Sequence, residues 1–340
     1  MAVHFVQATP MEQARALRIH RDDQGTQARI EAWTSPEPGP GEVRIRAQWS
    51  SLNYKDALAV TGKGKILRQF PLTAGIDVAG VVEASRTEGL SEGDAVLVTG
   101  YGLSETRDGG LSNTVTVPGD CVVALPMGLS PREAMAYGTA GFTAGLAMSR
   151  LLDNGQRPEL GPVAVTGATG GVGSYAIAIL SQLGYDVHAL SRKSDATDYL
   201  RGLGASEVHA PDALPIGERP LESGRYGGVI DNVGGALLSR LLRAVVEYGN
   251  VASIGLAGGV KLDMTVLPFI LRGVSMVGVH SVECPMSRRL DVWGHLASDW
   301  KPAVMDRIVT REVALDEVPA VCEDMIAGAQ TGRTVVRLAD

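Results

Sequence analysis

The stretch Val163-Ala164-Val165-Thr166-Gly167-Ala168-Thr169-Gly170-Gly171-Val172-Gly173 decides the fold of this chain. β-Branched Val163 and Val165 suit a buried strand, and the apolar-periodic run from Ser174 to Leu183 suits a helix, so the glycines form a tight turn between them. Ala168-x-Gly170-x-x-Gly173 is a dinucleotide fingerprint with alanine in the first glycine position. Small residues at Ala168 and Gly170 let the backbone turn and approach a pyrophosphate. Gly173 lets helix and strand pack closely, and the free N–H groups of the helix start attract the anion.

Outward from that unit the chain alternates strands and helices. Strands are expected at Asp186 to Leu190, Gly228 to Asp231, Val251 to Ile254 and Val274 to Val279, with a helix through Tyr199 to Leu203. This order implies an α/β, doubly wound parallel sheet of Rossmann type. Its start is marked by Ser130-Pro131-Arg132-Glu133, a helix beginning with serine as cap, proline in the first turn and glutamate at the third position. Before it, short runs such as Glu42 to Ala47, Val78 to Glu83, Ala95 to Thr99 and Thr114 to Val117 predict a β-rich, barrel-like unit. A helix near Leu315 to Ala327 and a strand at Thr334 to Leu338 are expected to return to that unit. The division is therefore residues 1–130 with 305–340, and residues 131–304.

At 340 residues two domains are the default, and 45% hydrophobic with 20% charged residues describes a globular chain. A net charge of −7 argues against general binding to nucleic acid or anionic membranes and favours a small-molecule partner. Cys121, Cys284 and Cys322 lie far apart without a CxxC pair, which suits a reducing compartment. Met1 to Pro10 lacks the pattern of a signal peptide, and no run reaches the ~18 apolar residues of a membrane span. Cytoplasm is the expectation.

About twenty residues past the fingerprint, where an acidic side chain selects NAD, the chain has Ser191-Arg192-Lys193. A hydroxyl and two cations suit a 2′-phosphate, so NADPH is the expected cofactor.

The phrases Ser51-Leu52-Asn53-Tyr54-Lys55-Asp56 and Gly75-Ile76-Asp77-Val78-Ala79-Gly80, ahead of the fingerprint, resemble the medium-chain dehydrogenase/reductase superfamily over nearly the whole chain. Asn53 to Leu58, Gly62 to Ile66, Gly138 to Thr143, Gly255 to Gly259 and Pro268 to Arg272 look like its acrylyl-CoA reductase group, the zinc-free, quinone-oxidoreductase-like branch. The resemblance implies a GroES-like barrel beside the Rossmann domain and a homodimer. Where zinc members have Gly-His-Glu this chain has Gly75-Ile76-Asp77, and Asn53 and Tyr54 stand where a cysteine ligand would sit. Residues 80 to 120 contain no cysteine, so the structural lobe is absent as well, and no metal site is expected in the chain.

The resemblance implies cofactor contacts at Tyr54, at Ala168, Thr169, Gly170, Gly171, Val172 and Gly173, at Ser191, Arg192 and Lys193, and at Asn232, Leu256, Ile270, Ser281 and Ala329. Tyr54, Asn53 and Asp56 are the catalytic candidates. Asn53 could donate to a substrate carbonyl, while Asp56 braces the segment. Lys63, Lys65 and Arg68, in a run without acids, are candidates for coenzyme A phosphates. Arg288 and Arg289 form a second cationic pair, and His280 reads as a packed or solvated side chain. The expected reaction is NADPH-dependent reduction of the activated alkene of acrylyl-CoA to propanoyl-CoA. A quinone or general enone reductase is the second reading, and a nucleotide-binding protein without turnover the third.

Overall fold

The structure, a computed structural model, describes residues 14–339. The Met1 to Pro10 segment read above lies outside the described residues.

The first unit is built on strands β1 (Arg15–Asp22), β2 (Gly25–Ala32), β3 (Glu42–Leu52), β4 (Leu72–Thr73), β5 (Asp77–Ser85), β6 (Ala95–Thr99), β7 (Thr114–Pro118) and β8 (Val123–Ala124), with helix α1 (Tyr54–Val60) after β3. β1 pairs with β2 and β4, whereas β3 and β5 centre a second, larger sheet. Alternate inward residues, among them Val43, Ile45, Val78, Val96 and Val115, close one core.

Helix α2 (Pro131–Asp153) leads out of this unit. Ser130 accepts the Glu133 N–H and Glu133 returns a bond to the Ser130 N–H, so the capping box read from sequence forms. The helix is broken at Gly138, where φ is +50°. A Cβ there would lie 2.3 Å from Ser51 Oγ and 2.5 Å from Asp77 Oδ2, so only glycine fits both the space and the left-handed backbone.

The second unit runs β9 (Val163–Thr166), α3 (Gly171–Gln182), β10 (Val187–Leu190), α4 (Thr197–Gly202), β11 (Glu207–His209), β12 (Tyr226–Asp231), α5 (Gly235–Leu242), β13 (Val245–Ser253), α6 (Leu267–Arg272), β14 (Ser275–Gly278) and α7 (Met286–Leu296). Its strands form one parallel sheet in the order β11-β10-β9-β12-β13-β14. Both faces are covered: Val163 and Val165 join Phe142, Ile177 and Trp293, while Ala164 joins Leu190, Tyr226 and Leu241 on the other side. The strand order reverses between β9 and β12, and the crevice beyond their carboxyl ends is the ligand site of such sheets.

The chain then forms α8 (Met305–Ile308), β15 (Val309–Ala314), α9 (Val318–Ile326) and β16 (Arg333–Arg337). β16 pairs antiparallel with β3, and β15 parallel with β16, which extends the large sheet of the first unit. The turn before β16 lies next to the glycine-rich turn, where Gly332 N–H donates to Thr169 O.

Candidate active site

The turn after β9 has the geometry its sequence requires. A Cβ on Gly173 would lie 2.5 Å from Gly167 O and 2.8 Å from Ala168 Cα, so glycine allows the close helix–strand contact. Gly170 is exposed and meets only Gly167 O at 3.3 Å, which leaves its outer side open. Ala168 is fully buried, and its N–H donates to Leu190 O, so it shapes the turn from within. Gly171 is fixed by the other unit: a Cβ there would meet Arg333 Cδ at 2.7 Å and Ala140 Cβ at 3.1 Å.

The carboxyl end of β12 completes the crevice. Thr166 Oγ1 donates to Asp231 Oδ1 at 2.7 Å, and Asn232 donates its N–H to Thr166 Oγ1 and its amide to Thr166 O. Burial holds the Asp231 carboxyl above its ordinary range, opposed by the Thr166 bond. Asn232 Oδ1 is buried without a hydrogen-bond partner. Gly255 packs on Asn232 O, and Gly258 N–H donates to Val233 O, so exposed Leu256 is carried beside Asn232.

Beyond β10, Ser191 is buried, Arg192 exposed and Lys193 half-buried. The two cations differ in use. Lys193 Nζ donates to Ala329 O, Gln330 O and Thr331 Oγ1 at 2.6–3.2 Å, and burial pulls its ammonium below the usual lysine range. Gly332 N–H donates to Thr169 O at 2.8 Å. Lys193 therefore ties the C-terminal loop, with Ala329, to the crevice, while Arg192 has no side-chain partner among the described residues.

On the facing side, the start of α1 sits over a buried polar cluster. Asn53 donates its amide to Asp77 Oδ2 at 2.7 Å and to Asp56 Oδ2 at 3.2 Å, and its Oδ1 accepts from Arg333 Nη1 at 3.0 Å. The expected Asn53 bond to a substrate carbonyl is thus met by an amide already committed on every side. Asp56 accepts the N–H groups of Asn53 and Ile76 and is fully buried; burial and the Asp77 charge push its carboxyl up to about 7. Its hydrogen bonds tie the start of α1 to the segment before β5, and no surface of it reaches solvent. Arg333, also fully buried, donates to Ala136 O, Leu52 O and Ser51 Oγ and lies 3.9 Å from Asp77. Tyr54, by contrast, is 53% exposed at the first turn of α1. It is the member of the phrase left free to touch a ligand.

Asp77 is not available to a metal: it also accepts from Ser51 Oγ and from the Thr139 N–H and hydroxyl. With Ile76 beside it, this donor set does not fit a zinc ion. The crevice does fit a dinucleotide, given its open helix start at Gly170 and the exposed Arg192.

Other expected contacts fall elsewhere. Lys63 is paired with Glu323 at 2.8 Å, while Lys65 and Arg68 are exposed. Arg288 is spent on Asp153 and Ser149; Arg289 is buried, donates to Thr99 O and Ser281 O, and stacks on Tyr101 and Phe142. They form no ligand patch. Ser281 lies where Tyr101 N–H donates to Val282 O, at the seam of the two units. Ile270 sits on α6, exposed like Val266 and Leu271 beside it in sequence. His280 is exposed, 3.8 Å from Glu283. Burial lifts the Cys121 and Cys322 thiols to about 11 and about 12, so neither is a thiolate at neutral pH. Sequence reading missed Arg333 and the Lys193 tie to residues 329–331; a lone arginine heading a strand carries no local signal.

Two family models match the chain, the alcohol dehydrogenase GroES-like domain over residues 39–127 and the zinc-binding dehydrogenase over residues 171–296. The chain is 44% identical to the probable acrylyl-CoA reductase AcuI of Escherichia coli over 95% of its own length and 99% of that protein. It is also 44% identical to the putative quinone oxidoreductase YhfP of Bacillus subtilis, over 95% of its own length and 98% of that protein. The structure of the yhdH oxidoreductase from Salmonella enterica in complex with NADP superposes with a TM-score of 0.92, at 44% identity, covering 96% of this chain and all of that one. Full-length similarity of this order, carried by the same two units, places the chain in the medium-chain dehydrogenase/reductase family.

Proposed function

We propose that this chain is an NADPH-dependent acrylyl-CoA reductase. The observation that carries the reading is its end-to-end similarity to proteins named acrylyl-CoA reductase, AcuI of Escherichia coli among them. Bound NADPH would supply the hydride taken up by the terminal alkene carbon; with a proton on the neighbouring carbon the products would be NADP and propanoyl-CoA. Residues Gly170 to Gly173, at the start of α3, would hold the pyrophosphate, and Arg192 would pair with the ribose phosphate. Lys193 closes the C-terminal loop over the ribose edge. Tyr54 orients the alkene from the first unit, held in place because Asn53, Asp56, Asp77 and Arg333 fix the start of α1. Lys65 and Arg68 meet the phosphates of coenzyme A, and Lys63 does so only by leaving Glu323.

The YhfP name supports a second reading, a quinone or enone oxidoreductase, since hydride addition serves any polarised alkene. NADPH oxidation measured with acrylyl-CoA, crotonyl-CoA and a quinone separates the two; binding without oxidation points to a protein without turnover. Two copies pair through the Rossmann units: Tyr248, Val260, Val266, Ile270 and Leu271 are exposed apolar side chains around the edge beyond β13. The compartment is the cytoplasm, where the three free cysteines stay reduced. No helix among the described residues is long and apolar enough to cross a membrane.

A further inference from the structure

At the edge of the parallel sheet farthest from β14, β10 and β11 pair with His188 opposite Glu207 and Leu190 opposite His209. Residues two apart share a face of a strand, so His188, Glu207 and His209 project to the same side. One donor atom from each lies within 4.8 Å of the other two. Glu207 Oε2 is 2.7 Å from His209 Nε2 and 3.9 Å from His188 Nδ1.

His188 is 94% buried by the exposure of 6% that it retains, and its Nδ1 has no hydrogen-bond partner. Asp186 Oδ2 lies 3.5 Å from the other ring nitrogen and favours the tautomer that carries its proton there. The lone pair is then left on Nδ1, beside Glu207. A buried imidazole nitrogen without a partner calls for an explanation, and coordination supplies one. His188 and Glu207 also line a groove of about 550 Å³ beneath the 215–225 segment, which gives an ion and its water a path in.

We propose that His188, Glu207 and His209 form a divalent transition-metal site, with zinc the ion best matched to two imidazoles and a carboxylate and water as the fourth ligand. Bonds of about 2.0–2.2 Å put neighbouring ligand atoms of a tetrahedral shell roughly 3.4 Å apart. The cluster must therefore tighten. Glu207 and His209 can do this by side-chain rotation, because both are partly exposed while His188 stays fixed. Arg219 and Arg225 line the groove; Arg219 is paired with Glu222 at 2.8 Å, and against Arg225 stands Asp186, 3.5 Å from His188. The site is distinct from the Asp77 cluster. It fastens the end of β11, where His209 O accepts the Ser191 N–H at the base of the loop carrying Arg192.

The test is titration of the untagged full chain with Zn²⁺ by calorimetry at neutral pH, with Co²⁺ absorption as a second readout of coordination. One equivalent should bind, and His209→Gln and Glu207→Gln should each weaken it by about tenfold or more. Both changes are at the surface, and circular dichroism confirms that the variants fold. His295→Gln, which removes a histidine flanked by Asp291 and Asp299, should bind as the parent does. Absence of Zn²⁺ binding, equal affinity in the three variants, or loss only in the His295 variant would overturn the proposal.

Discussion

Replacing Arg192 by alanine tests how the crevice chooses its nucleotide. Arg192 is exposed and has no side-chain partner among the described residues, so its removal leaves no orphaned group behind and costs the fold nothing. What it removes is a charge-assisted bond to the ribose phosphate, worth about 1.5–3 kcal/mol. At about 1.4 kcal/mol per decade this is roughly a ten- to 150-fold rise in the KM for NADPH. NADH lacks the phosphate, so its KM should change less than about twofold on the same arithmetic. Lys193→Met is the companion. Because Lys193 Nζ holds Ala329 O, Gln330 O and Thr331 Oγ1, its loss loosens the loop over both nucleotides, and both KM values should rise together. Steady-state kinetics of the parent and both variants with each nucleotide supply the readout. A parallel rise of both constants in Arg192→Ala, or a selectivity change confined to Lys193→Met, would refute this division of labour. The comparison matters because the solved structure of the similar YhfP protein of Bacillus subtilis carries NAD.

Further outcomes follow from the same geometry. Gly171→Ala should cost about 1–3 kcal/mol in urea denaturation and weaken NADPH binding, since the new Cβ meets Arg333, which four acceptors hold in place. Asp56 ionises at about 3.8 when unfolded and about 7 when folded, so the folded chain binds the extra proton between those values and loses stability as pH rises through them. Asp56→Asn should gain on the parent by up to about 4 kcal/mol between pH 4 and pH 7.5 in paired urea titrations; a constant difference across that window would contradict the assignment. Lys65→Glu with Arg68→Glu should raise the KM for acrylyl-CoA several-fold and leave that for a small quinone unchanged. Charged residues at Val266 and Ile270 should shift the chain from dimer to monomer in sedimentation.

The Rossmann half was readable because each signal was local. Val163 and Val165 alternate with a turn whose glycines pack where their spacing said, and Ser130 with Glu133 marked the start of α2. The hairpin of β1 and β2 was less visible because β1 buries Arg18, which stacks on Trp33 and pairs with Asp108; a buried cation interrupts the apolar alternation that betrays a strand. The same limit hid the support of the site. Asn53 reads as a free donor in sequence, yet Asp56 together with Asp77 and Arg333, from β5 and β16, takes up its whole amide. Likewise Lys193 and Arg192 are neighbours of one charge, and only the loop at Ala329, more than a hundred residues away, sets them apart.

The central claim, reduction of an acrylyl thioester, is tested most directly by following NADPH oxidation with acrylyl-CoA, crotonyl-CoA and a quinone at matched concentrations. The account predicts the highest kcat/KM for acrylyl-CoA, with propanoyl-CoA formed one for one with NADPH consumed. A higher kcat/KM for the quinone, or NADPH binding without propanoyl-CoA, would contradict it.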